Sequence, residues 1–234
     1  MRIDAVLFWM QEKLIMPKGT SSSFDQAFAT LRQFARPRRP AERCELCSAG
    51  LAHDHPHLVE LSSRQIVCAC EACATLFDGM AAGKYKRVSR RVQLLSNFQM
   101  TDAQWENLLI PINMAFFFHS SAEERMITLY PSPAGAVESL LPLDAWNEIV
   151  EENEVLTRLL PDVEALLVNR VAHAHELAQA EYYIAPMDEC YRLVGLIRSN
   201  WKGLSGGSEV WLEIGRFFSE LKSRADMVGV KANA

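Results

Sequence analysis

Apolar positions along this chain recur with two periods, and the switch between them outlines its elements. Phe24, Ala27, Phe28, Leu31 and Phe34 fall at helical spacing, and Pro37 and Pro40 stop that helix. Residues 57–61 and 64–68 are short strand-like runs meeting at Ser62-Ser63, which predicts a hairpin. Thr101 or Asp102 caps a helix reaching Leu109. Residues 112–119, 126–130 and 136–141, rich in aromatic and branched side chains, predict strands, with a turn over 131–135. Asp144 is expected to cap a helix over 145–160, ended by Pro161. Residues 163–171 and 181–185 predict two more strands, and 188–202 and 208–224 two closing helices, with Ser208 capping the second after Gly206-Gly207. Strands interleaved with helices, without regular βαβ units, place the chain in the α+β class.

The cysteines change this picture. Five of the six stand as Cys44-x2-Cys47 and Cys68-x-Cys70-x2-Cys73, one hook at each end of the hairpin. Two such hooks about twenty residues apart are the spacing of a four-thiolate metal site in a zinc ribbon. Cys44, Cys47, Cys70 and Cys73 are the expected ligands. Zn2+ is the expected ion and mononuclear iron the alternative, since both accept four soft sulfurs. Ser48 and Ala74 follow the hooks, where rubredoxin-type iron hooks carry glycine.

Cys68 is a fifth thiol that reads as a small buried hydrophobe, as a ligand exchanging with Cys70, or as a reactive thiol beside the metal, while His55 and His57 read as polar loop residues or as additional metal ligands. His53 completes an alternating histidine triplet around Asp54 and Pro56. Cys190 and the aromatics Trp201, Trp211, Phe217 and Phe218 read as core, and His173 and His175 as solvated loop residues. The chain divides into a loose extension over 1–23, a helix plus ribbon over 24–83, and an α+β domain with two C-terminal helices over 84–234.

At 234 residues, 49% hydrophobic and 23% charged, the composition is that of a globular protein. No run approaches the roughly 18 apolar residues that cross a bilayer, and no export signal is legible, so a cytoplasmic location is expected. In a reducing compartment clustered cysteines are ligands rather than disulfides. The net charge of −5 is uneven: residues 1–95 carry 14 basic and 9 acidic side chains, residues 96–234 carry 10 and 20. Arg36, Arg38, Arg39 and Arg43, then Lys84, Lys86, Arg87, Arg90 and Arg91, bracket the cysteine module. Such a patch suits nucleic acid, an acidic protein, or the chain's own acidic half. No Ser/His/Asp set, phosphate loop or dinucleotide fingerprint is legible, so the sequence supplies no ground for an enzymatic activity.

Six separated motifs occur in order: Arg43-Cys44-Glu45-Leu46-Cys47, His57-Leu58, Cys68-Ala69-Cys70-Glu71-Ala72-Cys73, Pro111-Ile112-Asn113-Met114-Ala115-Phe116-Phe117, Tyr130-Pro131-Ser132-Pro133-Ala134-Gly135-Ala136 and Trp201-Lys202-Gly203-Leu204-Ser205-Gly206-Gly207. Together they resemble a bacterial domain family of unknown function, often encoded beside nickel–iron uptake hydrogenases and their maturation genes. The resemblance covers about residues 24–224. It implies a non-enzymatic accessory protein that works through protein contacts in hydrogenase assembly or maturation, with the four hook cysteines as ligands. The alternatives are a rubredoxin-like iron electron carrier for that system, and a nucleic-acid-binding zinc ribbon.

Overall fold

The computed structural model describes residues 42–78, 83–171 and 179–228. The expected helix over 24–34, the segment 1–23, Arg36, Arg38, Arg39, His173 and His175 lie outside the described residues. The chain from Glu42 onward forms one compact unit.

The hairpin forms as expected. β1 (His57–Glu60) and β2 (Gln65–Cys68) pair antiparallel, with His57 opposite Cys68. The second hook then runs directly into α1 (Glu71–Phe77). β3 (Tyr85–Arg87) pairs with the other edge of β1, giving the sheet order β2-β1-β3. This third strand was not legible in the sequence, because Tyr-Lys-Arg carries no apolar alternation.

The larger sheet draws on the rest of the chain: β4 (Gln93–Leu95), α2 (Asp102–Asn107), β5 (Met114–Ser120), β6 (Arg125–Ser132), β7 (Gly135–Ser139), α3 (Leu143–Glu152), β8 (Glu164–Asn169), β9 (Glu181–Pro186), α4 (Met187–Asn200), α5 (Gly207–Ser223) and β10 (Asp226–Val228). Its strands lie in the order β10-β4-β9-β8-β5-β6-β7. All neighbours are antiparallel except β10, which runs parallel to β4.

Successive side chains of a strand point to opposite faces, and here both faces are covered. Phe116, Phe118, Ala165, Leu167 and Tyr183 pack with Leu193, Ile197, Ile214 and Phe217 of α4 and α5. Ala115, Phe117, Leu166, Val168 and Ile184 pack with Trp105, Trp146 and Ile149 on the other face. Burial on both faces explains why residues 114–118 are an unbroken apolar run. The α+β class is therefore what the structure has, as a sheet held between two helical layers.

Three local expectations are corrected, the first at α5, which starts behind Gly206 with no side-chain cap, so that Ser208 lies inside its first turn. The helix expected over 145–160 ends at Glu152 and is followed by a 3-10 turn over Glu154–Arg158. The break is at Asn153, which is buried: its Nδ2 donates to the carbonyls of Gln99 (2.7 Å) and Ile149 (2.8 Å), and its Oδ1 accepts from the Gln99 N–H. Bonding a loop 54 residues away outcompetes continuing the helix. The N-terminus of α3 is at Pro142 and has no side-chain cap, so Asp144 lies inside the first turn. At α2, Thr101 makes the expected cap, reciprocated by Gln104.

The ribbon is clamped to the larger sheet. Leu58 points into the ribbon's own small core with Cys44, Val67, Ala69, Cys73 and Ala74, while its neighbour Val59 points into the main core. Two ion pairs reinforce the contact. Arg91, just after the ribbon, donates twice to Glu164, from Nε (3.0 Å) and Nη2 (2.5 Å), and Glu164 is fully buried. Lys86 of β3 donates to Asp162 at 2.5 Å, and the Ser121 N–H donates to the same carboxylate at 2.7 Å.

Burial pushes the Asp162 carboxyl up, but Lys86 and Ser121 outweigh it and hold it below its usual value. A depressed carboxyl contributes stability above its unfolded pKa, about 3.9, and loses it as pH falls through the lower folded value. Asp162→Asn keeps a residue that tolerates the observed φ of 70°. It should cost about 1.5–3 kcal/mol at neutral pH, the range of hydrogen bonds to charged groups. Urea unfolding of the two proteins should converge as the pH is lowered below about 4; a difference constant with pH would show that the charge contributes nothing.

Candidate metal centre

Local turns of the chain bring the four hook cysteines together. In the first hook the Ser48 N–H donates to the Cys44 carbonyl (2.7 Å) and the Cys44 N–H to the Ala49 carbonyl (2.8 Å), which folds the hook back on itself. Ser48 takes φ 63°, the left-handed conformation that glycine usually supplies. In the second hook Cys70 is the N-cap of α1, and its sulfur accepts the Cys73 N–H at 3.5 Å. The Glu45 N–H donates to the Cys68 carbonyl (2.9 Å) and holds the hooks side by side.

The four Sγ atoms all lie within 4.8 Å of one another. Cys47 and Cys70 are 3.7 Å apart at sulfur. A tetrahedron with metal–sulfur bonds of about 2.3 Å has edges of roughly 3.8 Å, so this pair already stands at ligand spacing. Cys44 and Cys73 are buried and Cys47 is exposed, so one edge of the group reaches the surface. Burial pushes the Cys44 thiol up, but the backbone N–H groups of Cys70, Cys47 and Leu46 outweigh it and bring it down to about 6. Cys73 is pushed up to about 12 by burial and by its three sulfur neighbours. The group can hold one metal ion, which would favour the deprotonated form of its ligands.

A family model described as a family of unknown function (DUF5947) matches residues 43–225. The chain belongs to this family. No curated protein and no solved structure matches it. The match begins one residue before Cys44 and ends just after α5, so both hooks and nearly the whole larger sheet are DUF5947 sequence. The segment 24–42, expected to share the resemblance, lies outside the match.

In this DUF5947 chain Cys68 does not join the four-sulfur group. It stands with His55 and His57 in a second cluster whose ligand atoms also lie within 4.8 Å of one another. Burial, and next the charge of the Glu45 carboxylate, push its thiol up. Cys190 is fully buried, as expected.

The described members of the two basic runs are committed within the chain. Lys84 pairs with Glu60, Arg87 with Glu71 and Arg90 with Asp54, all inside the ribbon. Lys86 and Arg91 reach Asp162 and Glu164 of the acidic half. Arg43 donates to the Ser48 carbonyl at 3.3 Å. Phe217 and Phe218 are core, but Trp201 is only half-buried and Trp211 is 43% exposed. With Ile112, Tyr130, Pro131 and Pro133 the two tryptophans line an apolar cleft of about 580 Å³. Sequence reasoning missed this cleft because its walls come from five separate segments. No helix among the described residues is long and apolar enough to cross a membrane.

Proposed function

We propose that the protein is a non-enzymatic, metal-binding accessory protein that acts through protein contacts, its ribbon held by a structural Zn2+ ion on Cys44, Cys47, Cys70 and Cys73. The observation that carries this reading is the closed four-sulfur set: four protein donors complete a tetrahedron and leave no position for a substrate. An ion there would supply folding energy to a ribbon whose own core is six buried residues. The partner proposed is a nickel–iron hydrogenase or its maturation machinery, in the cytoplasm; that part rests on the family resemblance of the motifs alone.

The alternative of a rubredoxin-like iron site draws support from Ser48, whose left-handed backbone reproduces the glycine-type turn after the first hook. The second hook does not repeat it, because Ala74 lies inside α1. The nucleic-acid alternative has less behind it, since the second basic run is consumed by internal ion pairs.

Protein purified without oxygen from cells supplied with both metals should be colourless and carry zinc in the four-sulfur site. Bound iron with a visible band that bleaches on reduction would replace the zinc reading with the electron carrier. Affinity capture from the native host should recover hydrogenase or maturation components, and repeated captures without them would remove that partner.

A further inference from the structure

We propose a second metal site in the ribbon, in which His55, His57 and Cys68 bind a divalent ion such as Zn2+ and leave its fourth position open. The site is independent of the four-cysteine centre and shares no ligand with it.

Hydrogen bonding sets up both imidazoles as ligands. His55 Nδ1 lies 2.9 Å from the Ala52 carbonyl, an acceptor only, so the proton sits on Nδ1 and the lone pair on Nε2. The His55 side chain is only 7% exposed, and its buried Nε2 has no hydrogen-bond partner. An unmatched lone pair in a buried ring is costly, and a cation removes that cost. His57 Nδ1 lies 2.7 Å from Asp188 Oδ2, at the start of α4. A carboxylate behind a histidine is the usual support of a metal-binding imidazole: it fixes the tautomer and strengthens the Nε2 donor.

Cys68 supplies the third donor because it is the cross-strand partner of His57. The three ligand atoms lie within 4.8 Å of one another and the two rings meet edge-to-face with centroids 4.8 Å apart. Tetrahedral bonds of about 2.0–2.3 Å need donors roughly 3.3–3.6 Å apart, a closure that side-chain rotation can supply. Glu42, 3.6 Å from His55 Nδ1, and Asp188 add negative charge nearby, and the cations Arg90 and Arg224 that line the same cavity are paired with Asp54 and Glu189.

Three protein ligands with mixed sulfur and nitrogen are the pattern of an open zinc site, whose fourth position takes water or an exchangeable donor. His55 and His57 border a polar cavity of about 320 Å³ that also includes Asp188, Glu189 and Arg224, which gives such a donor access. The two centres thus differ in kind: the four-sulfur site is closed, and this one can exchange.

The test is a titration of the metal-free full chain, kept reduced, with Co2+ and then Zn2+. The wild type should take up two equivalents, the first with the strong charge-transfer absorption of four thiolates and the second with the weaker band of one. His55→Ala and Cys68→Ala, tested separately, should each weaken the second equivalent by more than the roughly 10–100-fold that loss of a partner behind a ligand costs, and leave the first spectrum intact. Zinc should also protect Cys68 from alkylation in the wild type. A single equivalent in the wild type overturns the site, and Cys68 alkylated equally fast with zinc would then leave Cys68, His57 and Asp188 as a thiol–imidazole–carboxylate set instead. A second equivalent unaltered in both variants also overturns it, as adventitious surface binding. Loss of the first equivalent alone would count against the four-cysteine reading and not against this one.

Discussion

Cys44→Ser is expected to strip the chain of the ion in its four-sulfur site and to unfold the ribbon around it while the larger sheet stays folded. Cys44 is the most buried of the four sulfurs, 1% exposed, and belongs to the ribbon's small core. A serine oxygen there is a poor donor to a soft ion, and three remaining thiolates bind far more weakly. Structural zinc supplies on the order of 10 kcal/mol to modules of this kind, more than six buried residues replace. The loss should be graded along the chain, which hydrogen exchange reads directly. Amides of residues 43–51 and 67–74 should exchange freely, whereas β1 should keep part of its protection because Val59 is anchored in the main core. The two cores on the faces of the larger sheet contain none of the four ligands, so helix content should fall by little more than α1. One full equivalent of metal retained at that site in Cys44→Ser would refute the ligand assignment.

Arg91→Met should be the most damaging change outside the metal centre. Glu164 has no exposed surface, and Arg91 meets both of its oxygens. Without the guanidinium the carboxylate keeps, among the described residues, the Leu160 N–H at 3.2 Å. Breaking a buried pair from one side costs about 3–5 kcal/mol, because an uncompensated charge is left inside. Arg91 is 39% exposed, so solvent screening places the expected loss near the lower end, about 3 kcal/mol. For a domain of this size that lowers the melting temperature by roughly 6–12 °C. Removing both charges in Arg91→Met/Glu164→Met should recover most of the loss, since an apolar pair of similar volume is often neutral. A single-variant loss under about 0.5 kcal/mol would show that water reaches Glu164 and that the bridge is an ordinary surface pair.

Arg91 also shows where sequence and structure part. In the sequence it is one of nine basic residues around a cysteine module, and a cluster of like charge suggests an external partner. In the structure its partner is a strand 73 residues onward, and the other four described members of its run are likewise paired within the chain. Charge along a sequence does not reveal which charges fold toward each other. The two tryptophans make the converse case, since they read as core in the sequence, yet both line a cleft and Trp211 is left exposed.

The sequence by itself determined the features that depend on neighbours a few residues apart. The cysteine hooks close over two-residue gaps, the Thr101 cap reaches three residues, and the hairpin turns over four residues between its strands. The buried strands were legible because two covered faces demand a continuous apolar run. Only the tertiary structure decided what distant segments do to one another. β3, β4 and β10 are three residues each, with too little pattern to be read alone, and exist because Glu60, Tyr183 and Gln93 stand opposite Tyr85, Leu94 and Asp226. α3 stops at Asn153 because the Gln99 loop bonds its side chain. His57 becomes a candidate ligand with a set tautomer because Asp188 arrives from 131 residues away. Local spacing sets which groups can meet around an ion, but long-range packing sets which lone pairs remain free to bind it.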